Sequence, residues 1–135
     1  MYHRQYGNYI IQSVLDVAPK AVCTNIKVKM EGKYLRLAKQ KFSSNVVERN
    51  LRNSSPAWRG IIIKELTSQP AVGEVLRDRY GNYCLQTALG VANAQQVDEL
   101  IRAITPHLPT LRENVRAKWE TILKQAMERV KHEKQ

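Results

Sequence analysis

The feature that most constrains this chain is a short pattern that returns at nearly constant intervals. Tyr6-Gly7-Asn8-Tyr9-Ile10-Ile11-Gln12 recurs as Phe42-Ser43-Ser44-Asn45-Val46-Val47-Glu48 and as Tyr80-Gly81-Asn82-Tyr83-Cys84-Leu85-Gln86, at spacings of 36 and 38 residues. A further step of 36 residues lands on a degraded copy, Arg116-Ala117-Lys118-Trp119. Such a period marks stacked supersecondary units, none of which buries its apolar face alone.

Between the copies the apolar residues fall three or four apart, in Val22, Ile26 and Met30, in Ile62, Ile63 and Leu66, and in Val97, Leu100, Ile101 and Ile104. That is the helical period, and nothing reads as a pair of strands. Ser55-Pro56 and Thr105-Pro106 resemble capping residues followed by proline at the first helical position, while Gly32 and the Pro70 region mark turns. Each unit is expected to hold a long helix bearing the motif, a second long helix, and a short helix (Tyr34 to Ala38, Val72 to Arg77, His107 to Arg112) leading into the next motif.

The expected fold class is therefore all-α, a solenoid of stacked three-helix repeats. Its parts are a partial repeat over 1–31, repeats over 32–69 and 70–105, a C-terminal cap over 106–131 and a frayed tail over 132–135. Trp119, Ile122, Leu123, Ala126, Met127 and Val130 form one stripe on the last helix and are expected to close that end. The chain opens almost at a motif helix, so it is expected to be the C-terminal fragment of a longer array with an apolar end face left exposed.

A length of 135 residues suits one domain or one array of small repeats, and 43% apolar residues suffice for a core. Against 12 acidic side chains stand 22 basic ones, a net charge of +10 that points to an anionic partner: RNA, DNA or a membrane surface. No run approaches the ~20 apolar residues of a membrane span, and the N-terminus lacks the apolar core of a signal peptide. Cys23 and Cys84 form no CxxC and lie near no histidine pair, which speaks against a disulfide framework or zinc and for a reducing, intracellular setting. His3, His107 and His132 are scattered, and there is no glycine-rich phosphate loop and no nucleophile with a base at motif spacing. No enzyme, cofactor, metal or small-molecule substrate is expected.

At ~100° per residue, Tyr6, Ile10, Ile11, Val14 and Leu15 cover one arc of the first motif helix, and Asn8, Tyr9 and Gln12 cluster roughly 160° from its centre. Their counterparts are Ser44, Asn45 and Glu48, then Asn82, Tyr83 and Gln86. One such trio on one helix is ordinary solvated surface; three in register form a ladder along one concave face. A tyrosine ring offers a stacking surface and amides or carboxylates can pair with a Watson–Crick edge, so the ladder suits single-stranded bases. Arg4, Arg49 and Arg79 flank the motifs and could stack or neutralise phosphates, whereas Cys84 takes the place of Ile10 and Val46 and is expected in the core.

The segments QYGNYIIQ (5–12), FSSNVVER (42–49) and RYGNYCLQ (79–86) closely resemble Pumilio/PUF RNA-binding repeats, over nearly the whole chain. The match looks like the last two repeats, part of the one before and the C-terminal cap. The resemblance implies a right-handed solenoid that binds single-stranded RNA by one base per repeat, the code for which these repeats are the known example. It implies that Asn8/Tyr9/Gln12 and Asn82/Tyr83/Gln86 each read uracil and that Ser44/Asn45/Glu48 reads guanine. RNA runs antiparallel to the protein in this family, so the implied core is 5′-UGU-3′. The chemistry agrees, because uracil offers acceptor, donor, acceptor along its edge, whereas guanine N1–H and N2–H are donors that suit a carboxylate.

In the fourth copy Lys118 and Ile122 hold the edge positions and Trp119 the stacking one. Ile122 cannot pair with a base edge, and the unit reads as a cap. The implied role is cytoplasmic: post-transcriptional regulation through UGU-bearing elements in mRNA 3′ untranslated regions, with translational repression or decay brought about by recruited corepressors or deadenylase machinery. Two other readings are nonspecific nucleic-acid binding in ribosome assembly and a helical protein-interaction scaffold. Trios that keep to the base code favour the first.

Overall fold

The computed structural model describes residues 30–69 and 71–131. Among these lie seven α-helices, one 3-10 helix and no strand: α1 (Tyr34–Ala38), α2 (Ser43–Asn53), α3 (Pro56–Leu66), α4 (Ala71–Arg77), α5 (Gly81–Val91), α6 (Ala94–Ile104), the 3-10 turn Thr105–Thr110 and α7 (Glu113–Lys131). The order short, long, long occurs twice and begins a third time. Like elements stack on like: α1 on α4, α2 on α5 and α5 on α7, α3 on α6. The chain is an all-α solenoid.

Local chemistry explains most boundaries. Ser55 caps α3 by accepting from the Trp58 amide at 3.3 Å, and Pro56 needs no N–H in the first turn. Gly32 adopts φ +82° in the turn before α1, and the Glu65 carboxylate accepts from the amides of Gly32 (2.9 Å) and Tyr34 (3.2 Å). At α6 a capping box forms, with Asn93 Oδ1 accepting from Gln96 N at 2.9 Å and Gln96 Oε1 from Asn93 N at 3.2 Å.

The third short element differs from expectation. It spans Thr105–Thr110 as a 3-10 helix instead of a short helix over His107 to Arg112, because Pro106 and Pro109 supply no N–H for regular α-helical bonding. Thr105 is likewise no side-chain cap; it ends α6, and its hydroxyl donates back to Ile101 O at 2.6 Å.

The core is continuous across the units. Leu51, Ile62, Ile63, Leu66, Leu85 and Leu100 are wholly buried, and Trp119 joins them from α7. Leu123, Ala126 and Val130 are buried along the expected α7 stripe and Ile122 is half-buried, but Met127 is 55% exposed and does not belong to the seal. The carbonyls that end α2 and α5 are each met by an arginine. Arg59 donates to Leu51 O (2.8 Å) and Ser54 O (3.0 Å) behind α2; Arg129 donates to Leu89 O (2.8 Å) and Ala92 O (2.7 Å) behind α5. Both place a cation at the negative end of a helix dipole. Partial burial, and then the charge of Arg129, lower the Arg59 pKa from its ordinary value.

Tyr34 ties α1 to the long helices. Its buried hydroxyl accepts from Trp58 Nε1 at 3.1 Å and Asn50 Nδ2 at 3.3 Å. Burial is the main cause that pushes this phenol from 10.0 up to about 12. The folded state thus holds a proton that the unfolded chain releases earlier, so the stabilisation is intact below pH 10 and declines as pH rises from there toward 12. Tyr34→Phe, which removes the acceptor shared by Trp58 Nε1 and Asn50 Nδ2, is expected to cost ~1–3 kcal/mol in urea unfolding at neutral pH. The variant's melting temperature should also fall less steeply than the parent's across that alkaline window; parallel curves would contradict the assignment.

Candidate nucleic-acid interface

The motif helices begin in a shared way. Ser44 Oγ donates to Lys41 O at 3.1 Å, three residues back, and Asn82 Nδ2 donates to Arg79 O at 3.0 Å, also three back, and to Asp78 O at 2.7 Å. In α5 the Asp78 carboxylate accepts from the amides of Tyr80 (2.9 Å) and Gly81 (2.7 Å), which fixes the turn into the helix. Ser43 of α2 donates to Leu37 O at 2.8 Å, whereas its counterpart Gly81 lies so close to the preceding turn that a Cβ would stand 3.0 Å from Val75 O.

Both described trios lie on adjacent helices, yet their members are not equally exposed. Tyr83 is 53% exposed and Asn45 is exposed, whereas Asn82, Gln86 and Glu48 are half-buried. Ser44 is only 4% exposed, against the expectation that the whole trio faces outward. A single-helix projection misses this because α5 packs along α2 and covers its edge, where the Cys84 thiol donates to Ser44 O at 3.5 Å. Asn8, Tyr9 and Gln12 lie outside the described residues, as do Arg4, Cys23 and the 132–135 tail.

Each trio carries its own internal bonds. Gln86 Nε2 donates to Asn82 Oδ1 at 3.0 Å, setting an amide donor beside an amide acceptor. Glu48 Oε1 accepts from Thr87 Oγ1 of the next repeat at 2.6 Å and lies 3.6 Å from Arg52 Nη2. Arg79 lies over the Tyr80 ring, 5.6 Å from its centroid, and Lys41 over Phe42 at 5.3 Å. Cys84 is buried as expected; burial, followed by the Glu48 and Asp78 carboxylates, pushes its thiol well above the usual range.

In the fourth copy Trp119 is 2% exposed, so it fills the core and offers no stacking face. Between it and Tyr83 opens a groove of about 510 Å³ whose lining includes Arg77, Arg79, Arg112 and Lys118. Sequence reasoning did not foresee this cationic groove, nor Asp78, Thr87 and Arg129, whose partners are backbone amides and carbonyls or lie in another repeat. Among the described residues no group of three or more His, Cys, Asp or Glu could hold a metal, and no helix is long and apolar enough to cross a membrane.

These features define a helical repeat protein with a ladder of base-sized polar and aromatic groups bordered by cations. A family model described as the Pumilio-family RNA binding repeat matches residues 5–26, 33–67 and 72–105. Pumilio homolog 12 of Arabidopsis thaliana is 36% identical over 109 residues, which is 81% of this chain and 18% of that protein. A Pumilio domain-containing protein of Schizosaccharomyces pombe is 35% identical over 107 residues, 79% of this chain and 16% of the other. Among solved structures, PUF-8 in complex with PBE-RNA superposes with a TM-score of 0.79 at 29% identity, covering 88% of this chain and 37% of that one. The chain belongs to the Pumilio family of RNA-binding repeat proteins. It spans about a fifth of the length of the curated relatives it matches.

The glycine at the head of α5 yields a paired test. Gly81→Ala would press its Cβ onto backbone and is expected to cost ~1–3 kcal/mol in urea unfolding. Gly90→Ala lies in the same helix with nothing within 4 Å and is expected to stabilise by ~0.5–1 kcal/mol. Equal effects at the two positions would contradict the close approach at Gly81.

Proposed function

We propose that this protein binds single-stranded RNA sequence-specifically, reading 5′-UGU-3′ with one base per repeat. Asn82, Tyr83 and Gln86 take the 5′ uracil, Ser44, Asn45 and Glu48 the guanine, and Asn8, Tyr9 and Gln12 the second uracil. The observation that carries this reading is the order of edge chemistry along adjacent helices: a half-buried carboxylate at Glu48, then an amide donor and acceptor side by side at Gln86 and Asn82. Uracil can take over both partners of that amide pair, its N3–H going to Asn82 Oδ1 and a carbonyl receiving Gln86 Nε2–H. Glu48 offers acceptors to guanine N1–H and N2–H, and would meet only one donor on a uracil edge.

Tyr83 supplies a stacking face, and the cations of the groove beyond it lie where the 5′ side of the RNA would leave the ladder. Relatives support the direction of the reading, since PUF-8 was solved in complex with PBE-RNA. The protein would act in the cytoplasm on 3′ untranslated regions, repressing translation or promoting decay through recruited corepressors or deadenylase machinery, with no chemistry of its own.

Two measurements test the assignment. Exchanging Ser44→Asn, Asn45→Tyr and Glu48→Gln together should move the preference from UGU to UUU; a variant that still prefers guanine at the middle place would show the register to be wrong. Tyr83→Ala should weaken binding by ~1–3 kcal/mol at fixed salt, and unchanged affinity would disconnect α5 from the RNA.

A further inference from the structure

We infer that Thr87 is a positioning residue for recognition of the middle base: it reaches out of the repeat that reads the 5′ base and holds the Glu48 carboxylate of the repeat before it. The inference rests on the base reading proposed above and adds a residue outside the three reading positions.

Five threonines fall among the described residues, and four turn their hydroxyls back onto nearby backbone. Thr67 donates to Ile63 O (2.7 Å), Thr105 to Ile101 O (2.6 Å), Thr121 to Ala117 O (3.1 Å) and Thr110 to His107 O (2.6 Å). This is the ordinary habit of a threonine in or beside a helix. Thr87 lies inside α5, where the same bond to its own helix is on offer, yet its hydroxyl crosses to Glu48 Oε1 at 2.6 Å. A hydroxyl has one hydrogen to give, and here it goes between repeats.

The consequence falls on Glu48. A glutamate on a helix face samples several rotamers, and Arg52, one turn further along α2, competes for the carboxylate at 3.6 Å from the same oxygen. With Thr87 attached to Oε1 the rotation of the carboxylate is set, and Oε2 takes no hydrogen bond from the described residues. Only 17% of the Glu48 side chain is exposed, so the group is walled in as well as tethered. A carboxylate fixed before the ligand arrives loses less rotamer freedom on binding and meets the two guanine donors in one geometry. Remove the Thr87 hydroxyl, and the carboxylate is free to swing onto Arg52 and away from the base. Gln86 and Thr87 are consecutive, so α5 would serve two bases at once, one through each side chain.

The test uses the full chain and three short RNAs, with G, A or U at the middle of the UGU core, in equilibrium binding at fixed salt. Thr87→Val, close in shape to threonine, should reduce the preference for G over A by about 3- to 10-fold while preferences at the flanking uracils stay as they were. Thr87→Ser, which restores a hydroxyl, should recover the parent preference, and in a Glu48→Gln background Thr87→Val should have no further effect. Circular dichroism melting monitors folding; if Val lowers the melting temperature, Thr87→Ala is read by the same base ratio. A Thr87→Val or Thr87→Ala protein that is folded and keeps the full guanine preference overturns the inference and leaves the base reading standing. A parent chain that ranks the three RNAs equally overturns the base reading and this role together.

Discussion

The structure depends on the side-by-side packing of the motif helices, α2 against α5 and α5 against α7. No unit is large enough to bury its own apolar face, so Leu51, Leu85 and Trp119 are buried only because a neighbouring unit covers them. The same contact sets what the outer face can present. Packed helices lie about 8–10 Å apart, which places equivalent side chains at one helix diameter from repeat to repeat. Asn45 and Tyr83 stand out from that surface, while Ser44 and Glu48 are drawn into the seam. A flexible loop could carry the same residue types without holding them in register.

Polar bonds across the seams make the stack specific. Gln96 closes the capping box of α6 and donates to Pro56 O of the previous unit at 2.7 Å, so one side chain serves a helix start and an inter-repeat joint. Arg129 reaches from α7 to the last carbonyls of α5, which would otherwise be left as unsatisfied acceptors. These joints lie behind the ladder, and the Thr87 to Glu48 bond lies within it. Stability and reading are thereby coupled, since a shift of one unit against the next would move the amide pair of α5 relative to the carboxylate of α2.

Much of this was legible in the amino-acid sequence because repetition and helical period are local signals. The spacing of the repeated pattern located α2 and α5, the bounds Tyr34 to Ala38 followed from the turn at Gly32, and Ser55-Pro56 marked the start of α3. Cys84 was placed in the core by its register with Val46. What escaped depends on partners about one repeat away. The burial of Ser44 comes from α5, the roles of Thr87 and Arg129 come from helices α2 and α5, and none leaves a mark on its own helix. Met127 failed for a related reason: it shares the apolar stripe of α7, but none of the described helices covers it. At Thr105-Pro106 the local signal itself misled, since a second proline three residues on keeps the segment a short 3-10 helix that ends at Thr110.

The central claim is that three helices each read one base, and the most direct measurement is fluorescence anisotropy of a labelled RNA carrying UGU beside RNAs changed singly at each of the three bases, all at one salt concentration. The account predicts tightest binding to UGU, with the largest loss on replacing the guanine, because a carboxylate facing the wrong edge leaves a buried acceptor unpaired. Equal affinity for every RNA would contradict it and reduce the ladder to a cationic surface that follows the phosphate backbone.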